Sequence, residues 1–265
     1  MAPGALKVQS AAATAKSEED ASRAPAVTRA LAILQLLSTE GSALGVTHIA
    51  RRLDLNPSTC LHIMRALEAA SFVQQTPGSK LYVLGPGIHV LARRGLSQDP
   101  FLLAAQPCLE ELSSRFKCTA LVMQPDNDDH MVVTAIVRDA GLLSLHIEVG
   151  SRVPALIAAS GRCVAAHSRL PVADLRRGFD KLKWDEPPRF EDWLDEVEQT
   201  RRSGVGADCG AFVTGVSMYA TAILRNEAIW RVISLVTPRT AFARKEVGEI
   251  TTALRAAAER LQGAI

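Results

Sequence analysis

The sequence has few aromatic residues and no long apolar segment. Phe, Tyr and Trp together make up 5% of its 265 residues while 48% are hydrophobic, so aliphatic side chains must fill the cores. No run of about eighteen apolar residues occurs, so no membrane-spanning helix is predicted. Residues 1–23 lack the apolar core of a secretory signal and are predicted to form a disordered tail rich in alanine and serine.

The sequence also lacks closely spaced cysteines. Its five cysteines form no CxxC pair, a pattern that favours neither a zinc knuckle nor a disulfide framework. We therefore expect a reducing, cytoplasmic environment, with no bound metal and no cofactor. The cysteines are Cys60, Cys108, Cys118, Cys163 and Cys209.

Positive charge is concentrated near the N-terminus, although the whole chain carries only +2. Residues 23–96 contain eight basic and three acidic residues, net +5, whereas residues 97–265 contain twenty basic and twenty-two acidic residues, net −2. This distribution predicts a small basic module joined to a larger, nearly neutral one. The alternative is chance clustering of arginine on a solvated surface.

The basic module begins with two predicted helices. Apolar residues recur at helical spacing over residues 27–38, which predicts an amphipathic helix. Thr47 is the candidate N-cap of a short second helix over residues 47–55, whose buried side would carry Ile49, Ala50 and Leu53. The apolar positions of the first helix are Val27, Ala30, Leu31, Ile33, Leu34 and Leu37.

A third helix and a hairpin complete this module. Asn56 is the predicted cap and Pro57 suits the first helical position, from which the helix extends to about Ala70. Two strand-like segments follow, FVQQT and KLYVL, joined by the turn residues Pro77-Gly78-Ser79. The predicted buried stripe of the third helix is Leu61, Met64, Ala66 and Leu67.

Three helices and a hairpin predict a winged helix-turn-helix over residues 24–85, with the helix-turn-helix at about 45–70 and the wing at 71–85. Such a recognition helix meets base edges with small or hydrogen-bonding side chains near its N-terminus. The alternative is a three-helix bundle whose third helix is merely capped. The candidate DNA-binding residues are Thr47, Arg51, Ser58, Thr59, His62, Arg65 and Lys80.

This module resembles the DNA-binding domain of the IclR family of bacterial transcription regulators. The resemblance rests on the Arg-Ala-Leu of the first helix, the Pro-Ser-Thr … Arg-Ala-Leu of the third helix, and the Tyr-x-Leu-Gly at residues 82–85. It implies a repressor or an activator that binds double-stranded DNA.

The second module is predicted to be an α+β domain with an antiparallel sheet flanked by helices. A linker helix is predicted over residues 86–98, and the domain itself over 99–265. The predicted strands are 119–125, 131–137, 142–149, 216–224 and 230–238. The predicted helices are 100–116, 158–168, 189–203 and 241–263.

This module also resembles the IclR family, whose effector-binding domain has a GAF-like fold. The similar segments are residues 150–154 with 159–162, residues 206–208 with 215–217, and the strand at 233–238. Carried over by position, the effector pocket would comprise Ala159, Ser160, Asp208, Met218, Ser234 and Val236.

Several positions depart from the family pattern. Met218 stands where a cysteine is common, Val236 where a serine is common, Leu156 where a histidine is usual, and Ala211 where a glutamate is usual. A pocket with more methyl and thioether surface should prefer a larger, less polar ligand, so we expect an aromatic or mostly apolar acid. Alternatively, Met218 and Val236 are ordinary core residues.

Enzymatic chemistry has little support in the sequence. Cys163 and His167 lie four residues apart on a predicted helix, but no third orienting group is evident and cysteine is commonly buried. A metal could in principle be bound by Asp126, Asp128, Asp129 and His130, but four polar residues between two strands suit a hairpin loop, and the spacing of a calcium loop is absent. Motifs such as GxxxxGK[ST], HExxH and GxSxG do not occur, so the chain is not expected to be an enzyme.

Three functions remain open: a ligand-responsive regulator, a regulator with an unresponsive pocket, and a small-molecule enzyme with a degenerate DNA-binding domain. The resemblance implies a homodimer or a dimer of dimers that binds a pseudo-palindromic operator. Apolar residues such as Leu34, Ile88 and Leu91 exceed what one small module can bury, so the first helix and the linker helix are the expected dimer contacts.

Overall fold

A computed structural model describes residues 24–127, 129–139, 147–239 and 244–263. The predicted tail, residues 1–23, lies outside the described residues. The described chain divides after Gln98 into two compact units.

The first unit is a winged helix-turn-helix, as predicted. Its three short strands form an antiparallel sheet in the order β1-β3-β2. Its elements are α1 (Pro25–Glu40), β1 (Leu44–Gly45), α2 (Val46–Arg52), α3 (Pro57–Ala69), β2 (Val73–Gln75), β3 (Leu81–Leu84) and α4 (Pro86–Ser97).

The third helix starts as the sequence predicts but buries a partly different stripe. The side chain of Asn56 accepts a hydrogen bond from the backbone N–H of Ser58 at 3.0 Å, which confirms the cap. Met64 is fully buried, and so is Cys60, which the prediction omitted. Leu61 is only half-buried and Ala66 is exposed, because the core contacts a stripe centred on Cys60 and Met64, with Ile63 and Leu67 packed beside it.

One other prediction for this unit is wrong, and the apolar face predicted on the first helix is only partly buried. Helix α2 begins at Val46 with Gly45 as its N-cap residue, so Thr47 lies in the first turn and is not the cap. On α1, Val27 and Leu31 are 58% and 55% exposed, whereas Ile33 and Leu37 are buried. Helical periodicity marks a face as apolar, but it does not tell what covers that face.

The second unit contains a six-stranded antiparallel sheet with helices on both faces, as predicted. Its strand order is β6-β5-β4-β9-β8-β7. Its elements are α5 (Pro100–Phe116), β4 (Thr119–Asn127), β5 (His130–Arg138), β6 (Arg152–Pro154), α6 (Ala158–His167), α7 (Val172–Phe179), α8 (Phe190–Ser203), β7 (Val205–Cys209), β8 (Val216–Arg225), β9 (Ala228–Pro238) and α9 (Arg244–Gln262).

The sheet separates two buried clusters because successive side chains of a strand point to opposite faces. On β9, Ile233 and Leu235 pack with α5 and α9, on what we call the α5/α9 face. Val232 and Val236 pack with Ala159 of α6, on what we call the α6 face.

Several elements of this unit were not predicted. Strands β6 and β7 and helix α7 are short, so their periodicity carries little signal, and the same is true of β1 in the first unit. Most of the predicted strand at 142–149 lies outside the described residues, and residues 147–149 are not in a strand. The predicted start of the last helix, 241–243, also lies outside them. No helix in the described ranges is long and apolar enough to cross a membrane.

Helix α6 packs closely on β7 at Gly206. A Cβ at this position would lie 2.5 Å from the carbonyl oxygen of Ala159 and 3.3 Å from the Sγ of Cys163. The sheet can therefore hold α6 at this distance only because residue 206 is glycine.

Replacing Gly206 by Ala is expected to destabilise the protein by about 1–3 kcal/mol, because the added methyl group would push α6 away from β7. Urea unfolding would measure the free energy. Gly248→Ala on α9 is the control: a Cβ there meets no atom within 4 Å, and alanine favours a helix by up to about 1 kcal/mol. Equal stability of wild type and Gly206→Ala would contradict this packing.

Candidate DNA-binding surface and effector pocket

The exposed side of α3 carries three of the predicted DNA-binding residues. Ser58, His62 and Arg65 are exposed at spacings of four and three residues, which places them on one side of the helix. Thr59 is half-buried. The hydroxyl of Ser58 donates to Asn56 Oδ1 at 2.7 Å, so towards an external group it presents oxygen lone pairs.

The other three predicted residues are also exposed. Thr47 and Arg51 lie on α2, and Lys80 directly precedes β3 of the wing. Arg51 Nη2 lies 3.5 Å from Nδ1 of His48. Thus the predicted residues come from the second helix, the third helix and the wing.

The basic side chains of the first unit differ in whether they form salt bridges. Arg52 forms a salt bridge with Glu40 at 2.7 Å. By contrast, Arg51, Arg65 and Lys80 form no salt bridge with any carboxylate of the described residues. Their charges are available to an anionic partner such as a phosphate.

Three of the six predicted effector-binding residues lie in one row across the α6 face. Asp208 on β7 is paired with Met218 on β8, and Met218 with Val236 on β9. Ser234 lies two residues earlier on β9, between Ala220 and Leu121 on the neighbouring strands. The register of the sheet thus brings together residues that are up to 28 positions apart in sequence.

Helix α6 supplies the remaining two. Ala159 is fully buried in the same cluster as Val236. Ser160 is buried as well, and its hydroxyl donates to the carbonyl oxygen of Ile157 at 3.2 Å.

The carboxylate of Asp208 is bound by groups of the protein itself. Its Oδ2 accepts a hydrogen bond from Arg162 Nη1 at 3.1 Å. Its Oδ1 accepts from the backbone N–H groups of Gly210, Ala211 and Phe212 at 3.1–3.3 Å. Both oxygens therefore stabilise the turn after β7 and its contact with α6.

Arg162 was named in a sequence motif but not predicted as a site residue. Its guanidinium is 2% exposed and forms salt bridges with Asp208 at 3.1 Å and with Glu196 of α8 at 2.5 Å. Its Nη1 also donates to the carbonyl oxygen of Ala158 at 2.9 Å. A buried cation needs such partners, and here they come from three different elements.

The thiol of Cys163 is not activated. Burial raises its pKa to about 12, and its Sγ donates to the carbonyl oxygen of Ala220 at 3.2 Å. Burial also lowers the pKa of His167. At neutral pH both groups are uncharged, so the pair lacks the thiolate that a nucleophile needs.

The row across the α6 face continues to two residues that sequence reasoning missed. Val236 is paired with Thr119 on β4, and Thr119 with Arg138 on β5. The only sequence signal was their position at the ends of predicted strands, which does not show what lies beside them.

Two family descriptions match the chain. The model of the family described as "Bacterial transcriptional regulator IclR C-terminal" matches residues 94–262. The model of the family described as "IclR helix-turn-helix domain" matches residues 26–77. A probable transcriptional regulator from Cupriavidus necator, SauR, is 25% identical over 230 residues, which cover 85% of this chain and 89% of that protein.

Solved structures have the same fold. An IclR transcriptional regulator from Alicyclobacillus acidocaldarius is 25% identical with a TM-score of 0.78, and the match covers 91% of this chain and 98% of that one. An IclR homologue from Microbacterium hydrocarbonoxydans, solved with 4-hydroxybenzoate, is 18% identical with a TM-score of 0.75 over 90% and 98% of the two chains. Since one family description alone covers more than half of the chain, this protein belongs to the IclR family of bacterial transcriptional regulators.

Proposed function

We propose that this regulator binds a pseudo-palindromic operator in the cytoplasm through residues 24–85 and responds to an organic acid bound by residues 99–265. Residues 86–98 would link the two domains. The observation that carries the proposal is the exposed side of α3, with an unpaired arginine, in a winged helix-turn-helix. Operator contacts are assigned to Thr47, Arg51, Ser58, Thr59, His62, Arg65 and Lys80.

The side chains on α3 suit different parts of the DNA. Arg65 can donate two hydrogen bonds to O6 and N7 of guanine, the commonest specific contact in the major groove. Ser58, whose own proton is used by Asn56, can accept from a base amino group. Arg51 and Lys80, on the second helix and the wing, suit phosphates that set the register of the protein on the duplex.

Arg65→Ala is expected to weaken binding to the operator by about 1–3 kcal/mol, because a base or phosphate contact is lost. Fluorescence anisotropy on DNA from the region upstream of the protein's own gene, across a salt series, would measure this. The control is Arg169→Ala, which removes an exposed arginine from the second unit and should leave operator affinity unchanged. If operator affinity and salt dependence are the same for Arg65→Ala and wild type, the assignment of this surface is wrong.

We also propose that the regulator is a homodimer or a dimer of dimers, joined through α1 and α4. Apolar side chains on both helices are exposed in the single chain: Val27 and Leu31 on α1, and Val90 and Leu91 on α4 are each more than half exposed. A two-fold dimer would present two recognition helices to the two half-sites of a pseudo-palindrome.

Leu91→Ser is expected to shift the protein towards monomers at micromolar concentration, because it removes apolar area from the proposed interface. Sedimentation velocity would measure the mass. Leu103→Ser on α5 is the matched control, since Leu103 is exposed to the same extent, 62%. A dimer that Leu91→Ser leaves as stable as wild type would rule out α4 as its interface.

The proposed effector is an aromatic or mostly apolar acid. Met218 and Val236 are neighbours in one row of the α6 face, with Leu121 and Ala220 in the next row, so this side of the site is apolar. The homologue that was solved with 4-hydroxybenzoate gives the proposal independent support. Ala159, Ser160, Asp208 and Ser234 complete the proposed site. Asp208 would act by holding α6 through Arg162 rather than by contacting the ligand.

Isothermal titration is expected to show binding of 4-hydroxybenzoate and at least tenfold weaker binding of the two-carbon acid glyoxylate. Apolar contact with Met218 and Val236 is the physical reason, since a two-carbon acid buries too little area there. Binding of glyoxylate without 4-hydroxybenzoate would refute the aromatic acid. Binding of neither acid would favour a regulator with an unresponsive pocket.

A further inference from the structure

Two side chains that carry hydroxyl groups, Thr119 and Ser234, lie on neighbouring strands of the α6 face, and the proposed function does not yet use both. Thr119 is 7% exposed and Ser234 is 4% exposed. Their strands are neighbours: Ser234 is paired with Leu121, two residues after Thr119 on β4. Leu121 belongs to the cluster around α6, so Thr119 points to the same face.

Neither hydroxyl forms a hydrogen bond with another group in the described part of the chain. Two other hydroxyls of buried residues in this unit are bonded: Thr221 donates to the carbonyl oxygen of Gly204 at 2.9 Å, and Ser113 to that of Cys118 at 2.7 Å. Neither hydroxyl oxygen is fully enclosed by protein atoms, so both hydroxyls can donate to a group that binds on this face. Two such hydroxyls on adjacent strands can bind one carboxylate together.

Arg138 supplies positive charge at the same end of the row. It is paired with Thr119 across β4 and β5 and lies on the α6 face, since Ile136 of the same strand packs there. Its guanidinium donates to the carbonyl oxygen of Ile147 and forms no salt bridge with a described carboxylate. Arg162, at the other end of the row, is already neutralised by Asp208 and Glu196. An anion would thus be attracted to the Arg138 end.

The length of the apolar stretch between the two ends of the row limits the size of the ligand. Thr119, Val236 and Met218 occupy three neighbouring strands, so about 10 Å separate the first from the last. One aromatic ring with a carboxylate fits this length, with the ring over Val236 and Met218.

We propose that Thr119, Ser234 and Arg138 bind the carboxylate of an aromatic monocarboxylic acid whose ring lies over Val236 and Met218. This inference rests on the proposed function and adds to it the orientation of the ligand and two residues, Thr119 and Arg138. Hydrogen bonds from two hydroxyls and a guanidinium select the ionised acid over a neutral analogue.

The test uses the full chain, with 4-hydroxybenzoate and its neutral amide as probes in isothermal titration. Thr119→Val and Ser234→Ala should each weaken binding of the acid roughly tenfold or more, since each removes a hydrogen bond to a charged group. Arg138→Gln should reduce the preference for the acid over the amide by a similar factor.

Thr237→Val is the matched control. Thr237 is also a buried threonine whose hydroxyl has no partner, but it lies on the α5/α9 face of β9. The same change there should leave binding of the acid unchanged. Thermal unfolding without ligand should show Thr119→Val at least as stable as wild type, because an unpaired hydroxyl is replaced by a methyl group.

Three results would overturn the inference, and they can be distinguished. If wild type binds the acid and the three variants bind it equally well, the inference fails while the proposed effector class stands. If wild type binds neither the acid nor the amide, the proposed effector class fails and the inference fails with it. Weaker binding by Thr237→Val to the same extent as by Thr119→Val would also contradict it, since the effect would then not be local.

Discussion

The architecture of the second unit depends on the buried guanidinium of Arg162. A charge with 2% exposure is tolerable only when its hydrogen bonds are satisfied, and its partners come from α6, β7 and α8. Asp208 in turn anchors the turn after β7 through three backbone N–H groups. This network, together with the close contact at Gly206, fixes α6 against the sheet and thereby positions Ala159 in the same cluster as Val236.

The two faces of the sheet carry different kinds of residues. On the α5/α9 face, residues such as Ile233 and Leu235 pack into a core that serves stability alone. On the α6 face, a continuous row begins at Asp208, whose charge is paired with Arg162. The row continues through the apolar side chains of Met218 and Val236 to Thr119 and Arg138. The hydroxyls of Thr119 and Ser234 form no hydrogen bond with another group of the described residues, so they can donate to a ligand that binds along this row.

Much of the fold could be predicted from the sequence, because long periodic segments carry strong signals: α5 has the predicted limits, Pro100 to Phe116. Strands β1 and β6, of two and three residues, form because neighbouring strands pair with them, which local periodicity cannot reveal. The candidate site shows the same limit. Asp208 and Ser234 came from the family resemblance, whereas Thr119 and Arg138 become neighbours of Val236 only through the sheet register.

Arg138, at one end of the row, and Arg162 of α6, which binds Asp208 at the other end, differ in a way that bears on regulation. A ligand changes operator affinity only by binding two arrangements of the protein unequally, and a hundredfold change needs about 2.7 kcal/mol. One hydrogen bond to a charged group supplies about 1.5–3 kcal/mol, so a single contact made in only one arrangement is enough. Arg162 is held by two carboxylates and a carbonyl, whereas Arg138 is exposed and its described contact is one carbonyl oxygen. From the proposed contact with Arg138 it follows that the ligand would exert its effect through β5, while the Arg162 network holds α6 in place.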